Sequence, residues 1–423
     1  MYLCNVKKIH NIIINNIATI LILLCISMTS ATAQPIKENT EQEVESSDSA
    51  AIADSVEVSL LTCSPHERIY SLYGHTALRY HDLRTGEDWA FNYGIFNFKK
   101  PFFILRFTFG ITDYELGVIP FDLFKAEYKK FGSRVVEQVI DLTPDEKKKI
   151  WHNLVVNLQP ENKVYRYNFF YDNCTTRARD MIAGSIDGRI EYFEDRPLKG
   201  SFRKLIYKYT SDHPWATFGN DLCLGVKADK NTSFYDQQFL PENLRFDFGN
   251  AMIYTKDSHR PLVKETRIIV DPGAQIIEKG FPLTPVWCAS ILLALTIIVC
   301  IIEYKKNKTF HIYDILLMLI QGTAGIVILA LFFSEHPTTS TNLQILLLNP
   351  LPLIFIPSMI KFCRLSKNLR YYSKTMTAYW KTSSIMIIVF IIGGFFQDYA
   401  EGIEFVALSL LLRNMVNLKQ CLR

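Results

Sequence analysis

Three scarcities narrow what this chain can be. Its 46 Lys and Arg nearly cancel 42 Asp and Glu, leaving a formal net charge of only +4. That excess follows the placement of basic residues between apolar segments and calls for no nucleic-acid partner. Nine histidines are present, and none are spaced as a ligand set, so neither a metal nor a cofactor is expected. Cysteine is scarce where it would meet an oxidising compartment. Of nine, only Cys63, Cys174 and Cys223 fall in the folded segment beyond the N-terminal apolar stretch. An odd number there leaves at least one free thiol. Whether Cys63 and Cys223 pair with each other or are simply buried stays open.

What is present begins with an address. Residues 1–33 carry Lys7 and Lys8, an apolar run from Ile17 to Ile26, and Ala31-Thr32-Ala33 as a cleavage pattern. They are expected to be an export signal, with an uncleaved anchor as the alternative. Residues 34–56 are acidic and lack aromatic residues, which fits a disordered tether. Residues 57–262 then have the composition of a folded domain, followed by a linker over 263–283.

Within that domain the pattern is α+β. Strands are expected at Val58–Thr62, His75–His81, Trp89–Tyr93, Phe102–Phe109 and Arg134–Leu142. Thr143-Pro144-Asp145-Glu146 is a capping box with proline in the first turn, and Ile150, Leu154, Val155 and Leu158 supply the buried face of its helix. A second helix is expected to run from the Asp172-Asn173-Cys174-Thr175-Thr176 stretch to about Gly184. Cys174 then sits at or beside the first helical turn, where unpaired N–H groups and the helix dipole lower a thiol pKa. The competing reading is a buried structural cysteine.

A reactive thiol needs a base. His75 and His81 share one strand face but stand about 20 Å apart, so only one can serve. His75 is preferred, because Gly74 permits close approach by another backbone, whereas His81 borders a turn. If the Asp82–Asp88 turn is centred between Arg84 and Thr85, Asn92 lies diagonally across from His75 and can orient its ring. A one-residue slip would substitute Tyr93.

The stretches Tyr70-Ser-Leu-Tyr-Gly-His-Thr-Ala-Leu-Arg79, Phe91-Asn-Tyr-Gly-Ile-Phe-Asn-Phe98, Val136-Glu-Gln138 and Tyr165-Arg-Tyr-Asn-Phe-Phe-Tyr-Asp-Asn-Cys-Thr-Thr-Arg177 resemble the Lnb N-terminal periplasmic domain family. Its namesakes are lipoprotein N-acyltransferases. The family is in turn similar to circularly permuted papain-like (NlpC-like) folds such as the lecithin:retinol acyltransferase group, in which the histidine strand precedes the cysteine helix. The resemblance implies Cys174 as nucleophile and His75 as its partner; Asn92 as third member rests on the hairpin geometry.

The remaining chain is apolar. Five segments, near Pro285–Ile302, Ile312–Phe333, Leu343–Phe362, Ser383–Phe396 and Ile403–Val416, are expected to form a five-helix all-α transmembrane domain over 284–418. The last two are short enough to be interfacial instead. Lys305, Lys306 and Lys308, and then Lys361, Arg364, Lys367, Arg370, Lys374 and Lys381, fall on one set of connections, with Arg413, Lys419 and Arg423 toward the end of the chain, while Ser334–Asn342 and Gln397–Gly402 carry no Lys or Arg. By the positive-inside rule the 57–262 domain is external and the tail, 419–423, cytoplasmic. His336 and the Asn349-Pro-Leu-Pro352 break fall near the outer face, as solvated loop and bend or as the lining of a lipid cavity.

The residues alone give thiol-dependent acyl transfer or hydrolysis. The resemblance implies an acyltransferase in the inner membrane, taking a phospholipid acyl chain and acting on a lipoprotein acceptor. A membrane-anchored cysteine peptidase or amidase of cell-wall peptides is the second expectation, and a non-enzymatic membrane protein the third. Oligomeric state is not indicated.

Overall fold

The computed structural model describes residues 55–66, 69–96, 101–193, 196, 200–275, 280–306, 309–365 and 372–421. The expected signal segment and the tether as far as Asp54 lie outside these residues, as do Lys308, Lys367 and Arg370.

Ten strands are described: β1 (Val56–Cys63), β2 (His75–Asp82), β3 (Asp88–Ile95), β4 (Asp113–Pro120), β5 (Val135–Ile140), β6 (Val164–Arg166), β7 (Arg189–Glu191), β8 (Met252–Tyr254), β9 (His259–Pro261) and β10 (Val263–Val270). Seven form an antiparallel sheet in the order β10-β5-β1-β2-β3-β4-β6, and β7, β8 and β9 form a small second sheet. Strand alternation gives the large sheet two buried faces. On one, Leu60, Leu78, Phe91 and Tyr93 meet the helices α3 (Pro144–Leu158), α4 (Cys174–Ala183) and α7 (Pro241–Gly249) through Ile150, Leu154, Ile182 and Phe248. On the other, Leu61, Ala77 and Ala90 pack on Phe121 and Phe124 of α2 (Phe121–Lys130). The capping box at the head of α3 is present, with Thr143 N–H donating to Glu146 Oε2 at 2.8 Å and Glu146 N–H to Thr143 Oγ1 at 3.3 Å.

Two expectations need correction. Phe102–Phe109 is no strand: Phe103–Thr108 forms the short helix α1, none of whose residues is buried. Its aromatic and branched content mimics a strand, yet it lies outside the sheet. The linker begins later than expected, because Val263–Val270 pairs with β5 as the sheet edge. Its Lys264, Glu265 and Arg267 are the charges of an edge strand, which in sequence read as a polar connection. Cys223 ends a helix, α6 (Pro214–Cys223), which follows α5 (Phe202–Thr210). It packs in a different cluster from Cys63, and both are free thiols.

The C-terminal part is helical: α8 (Pro285–Lys306), α9 (His311–Phe332), α10 (Leu351–Leu365), α11 (Lys374–Gly393) and α12 (Ile403–Cys421). Four stretches among the described residues are long and apolar enough to cross a membrane: α8, α9, Leu343–Leu365 and α11. The third includes the Asn349–Pro350 break, where Asn349 Oδ1 accepts from Leu351 N–H at 3.1 Å and Gly325 of α9 packs directly on the Asn349 backbone.

The sheet domain is fastened to one end of these helices. Asn342 donates to the Leu222 carbonyl at 2.7 Å, Gln344 to that of Asp221 at 2.7 Å, and Gln397 to that of Leu224 at 3.0 Å. All three side chains are buried, so the C-terminal end of α6 is satisfied by the helical part rather than by water.

Candidate active site

The site begins at a helix cap. Asn173 precedes α4 in extended conformation, and its Oδ1 accepts from Thr175 N–H and Thr176 N–H, each at 2.9 Å. Its Nδ2 donates to the carbonyls of Phe169 and Phe239, each at 2.9 Å. This buried side chain therefore fixes the first turn from both sides, with Cys174 as its first residue. Thr175 Oγ1 lies 3.0 Å from Thr76 Oγ1, which ties that turn to β2.

The tie brings Cys174 beside His75, the first residue of β2, close enough for the ring to act on the ionisation of the thiol. His75 Nε2 stands 3.1 Å from Asn92 Oδ1. Because a carbonyl oxygen only accepts, Nε2 carries the proton there, and Nδ1 is the ring nitrogen left for a second partner. Asn92 Nδ2 reaches back toward the Ala90 carbonyl. The hairpin register Leu78↔Phe91, Arg79↔Ala90 places Asn92 diagonal to His75. Tyr93, the residue a slip would have substituted, points to the opposite face and donates to Asn157 Oδ1 at 2.6 Å. His81 stays away from the site, near Arg79.

Electrostatics separates the three thiols of this domain. Burial raises Cys63 well above the usual thiol range, despite a hydrogen bond with Tyr128, and pushes Cys223 up to about 11. Burial also raises Cys174. There, however, the His75 charge and hydrogen bond, the Thr76 backbone N–H and the Thr175 hydroxyl more than offset it, so its pKa falls below the ordinary value. Burial lowers His75, while Cys174 and Asn92 raise it to a net upward shift. Each partner favours the charged form of the other.

Several contributors were not evident from sequence. The Thr76–Thr175 pair joins residues 99 apart. Gly94, at φ +90°, brings its α-carbon near Cys174, where a side chain at that position would touch the Cys174 Cβ. Behind it, Arg177 holds Asp172 in a two-pronged ion pair and covers the Tyr165 ring at 3.6 Å. Among the described residues no His, Cys, Asp or Glu cluster could hold a metal ion.

A mixed α/β domain with a thiol beside a histidine at a helix head, fastened to helices long and apolar enough to cross a membrane, is the architecture of a membrane protein with a globular head. The model of the Lnb N-terminal periplasmic domain matches residues 43–208, and that of the Lnb transmembrane domain matches residues 276–423. The chain belongs to the Lnb family and is a multi-pass membrane protein with an N-terminal periplasmic domain. Neither the curated proteins nor the solved structures hold a match to it.

Proposed function

We propose that this protein is a lipoprotein N-acyltransferase working through a thioester on Cys174, on a permuted papain-like domain. The observation that carries the reading is the line Cys174, His75, Asn92, with the thiol of lowered pKa, fastened to the periplasmic end of the membrane helices.

In the first half, Cys174 Sγ attacks a phospholipid ester carbonyl. The S–C bond forms, the ester C–O bond breaks, and the proton held by His75 passes to the departing lyso-lipid oxygen. In the second, the α-amine of a diacylglyceryl-modified cysteine attacks the thioester. The C–N bond forms, the C–S bond breaks, and His75 takes the amine proton. Asn173 occupies the Thr175 and Thr176 amides, so the Cys174 N–H is the one of the first three helical amides that it leaves for the oxyanion. Asn92 holds the imidazole through both halves. The fastening to the membrane helices favours this over a cell-wall peptidase, since confining both lipid substrates and the site to one plane removes encounter entropy.

Replacing Cys174 by Ala is expected to leave expression and membrane insertion intact while lipoprotein N-termini lose one acyl chain by mass spectrometry. Unchanged lipoproteins with altered cell-wall peptides would overturn the reading in favour of the peptidase.

A further inference from the structure

The helix α1 has an odd surface for a residue of the periplasm. Phe102 is 77% exposed, and Ile104, Leu105 and Phe107 are also exposed. Arg106, the lone charge between Phe102 and Gly110, is turned to Asp113 at 2.7 Å. Phe102 itself is held in the left-handed region at φ 57°, unfavourable for a bulky residue, and this conformation leads into the helix.

What faces this surface follows from where α1 is attached. Glu335 N–H donates to the Phe109 carbonyl at 3.0 Å, and His336 hydrogen-bonds the Phe107 backbone. Gly110 packs against Ser334 and His336, so closely that a Cβ there would lie 2.9 Å from Ser334 Oγ. These partners come directly after α9, a candidate membrane span ending at Phe332. Arg166 reinforces the level with a 2.8 Å ion pair to Glu335. The exposed side of α1 therefore stands where the chain leaves the bilayer, beside the end of α9, where Phe332 and Phe333 are also exposed.

From α1 a line of rings leads inward. Phe107 and Phe103 stack with centroids 6.3 Å apart, Phe103 and Phe96 at 5.9 Å, Phe96 and Tyr114 at 5.0 Å, Tyr114 and Tyr167 at 4.2 Å. Tyr114 is buried in a cluster against which both Tyr167 and Cys174 pack. The line thus runs from exposed to buried, and from the membrane surface to the thiol.

We propose that α1 rests in the periplasmic leaflet and that one acyl chain of a diacyl phospholipid leaves that leaflet along Phe107, Phe103, Phe96 and Tyr114 to bring its ester to Cys174. This rests on the acyl-transfer reading of Cys174 for its second half only; contact with the leaflet stands independently. Apolar rings compensate the transfer of methylenes from the bilayer, and the polar ester stops where the donors of the site begin.

The test uses the full chain in phospholipid vesicles. With Leu105→Trp, fluorescence in vesicles whose acyl chains carry bromine is expected to fall further than that of the parent chain. No added quenching overturns the leaflet contact. In a second arm, Ile104→Asp with Leu105→Asp is expected to reduce Cys174 acylation from vesicle phospholipid, relative to acylation by a dispersed short-chain thioester, by about tenfold. An unchanged ratio overturns the path, while iodoacetamide labelling of Cys174 checks that the doubly substituted chain is folded. If the parent chain is acylated by neither donor while Leu105→Trp is quenched, it is the acyl-transfer reading that fails and the leaflet contact that holds.

Discussion

At the scale of single residues, the chemistry comes from a balance of opposing effects on Cys174. Burial alone would hold it as an inert thiol, as it does Cys63 and Cys223. The facing imidazolium and two donors reverse the sign. As pH rises, the thiolate forms at a lower pH than for an ordinary cysteine, while the upward-shifted His75 keeps its charge to a higher pH than an ordinary histidine. Iodoacetamide labelling of Cys174 should therefore begin below the usual thiol range. In His75→Ala the burial remains and the opposing charge is gone, so the onset moves to higher pH. Labelling at pH 7 then falls about tenfold for each unit of upward shift. Superimposable pH profiles for the two chains would show that His75 does not set the thiolate. The pairing of His75 with Asn92 was legible in the sequence because both lie on one hairpin, whose turn at Arg84 and Thr85 sets the register. Nothing local foretold that Cys174 meets His75, since that contact is made through the Thr76–Thr175 hydroxyl pair and the packing of α4 on the sheet. In the sequence, Gly74 singles out His75 over His81 and the resemblance pairs it with Cys174, but neither supplies the contact itself.

At the scale of elements, α3 and α4 are legible in the sequence through explicit end signals that α1 lacks. Thr143 and Glu146 announce α3, and Asn173 announces α4. Before α1 stands Phe102, which makes no side-chain cap, and its apolar residues face outward rather than along a buried stripe. Sequence rules that assume an aqueous exterior assign such a run to a sheet interior. The cap of α4 carries its own expectation. Asn173→Ala removes the acceptor for two amides and leaves the Phe169 and Phe239 carbonyls without their donor. A loss of roughly 2–4 kcal/mol is expected, seen as a fall of several degrees in the Tm of the solubilised chain followed by tryptophan fluorescence. Asn173→Ser restores the acceptor alone and should recover about 1 kcal/mol. An unchanged Tm in Asn173→Ala would mean that α4, and with it the thiol, is positioned by packing instead.

At the scale of the whole molecule, the number of bilayer crossings decides on which side the chain ends. α12 falls short of the apolarity of the other spans, since it carries Glu404, Arg413 and Lys419. That arginine is buried, donating to Glu303 at 2.7 Å and to Asp314 at 2.8 Å. Its charge is therefore met inside the helical part rather than exposed to lipid. The direction of α12 follows from two contacts with α8. Gly402, just before α12, packs on Val286 at the periplasmic head of α8, and Arg413 meets Glu303 near its far end. α12 thus descends beside α8 through the same thickness, which supports reading it as a fifth crossing with Lys419 on the side of Lys305 and Lys306. A green fluorescent protein fused after Arg423 is expected to fluoresce, and an alkaline phosphatase there to be inactive, because the first matures in the cytoplasm and the second only in the periplasm. The reverse pattern would leave four crossings and an outward tail. Arg413→Leu supplies the companion measurement: it strands two buried carboxylates, so the fused chain is expected to accumulate poorly, and Glu303→Gln with Asp314→Asn in the same chain should restore part of its level. Rescue ties the fifth helix to the bundle through charge compensation, whereas equal accumulation of all three chains would detach it.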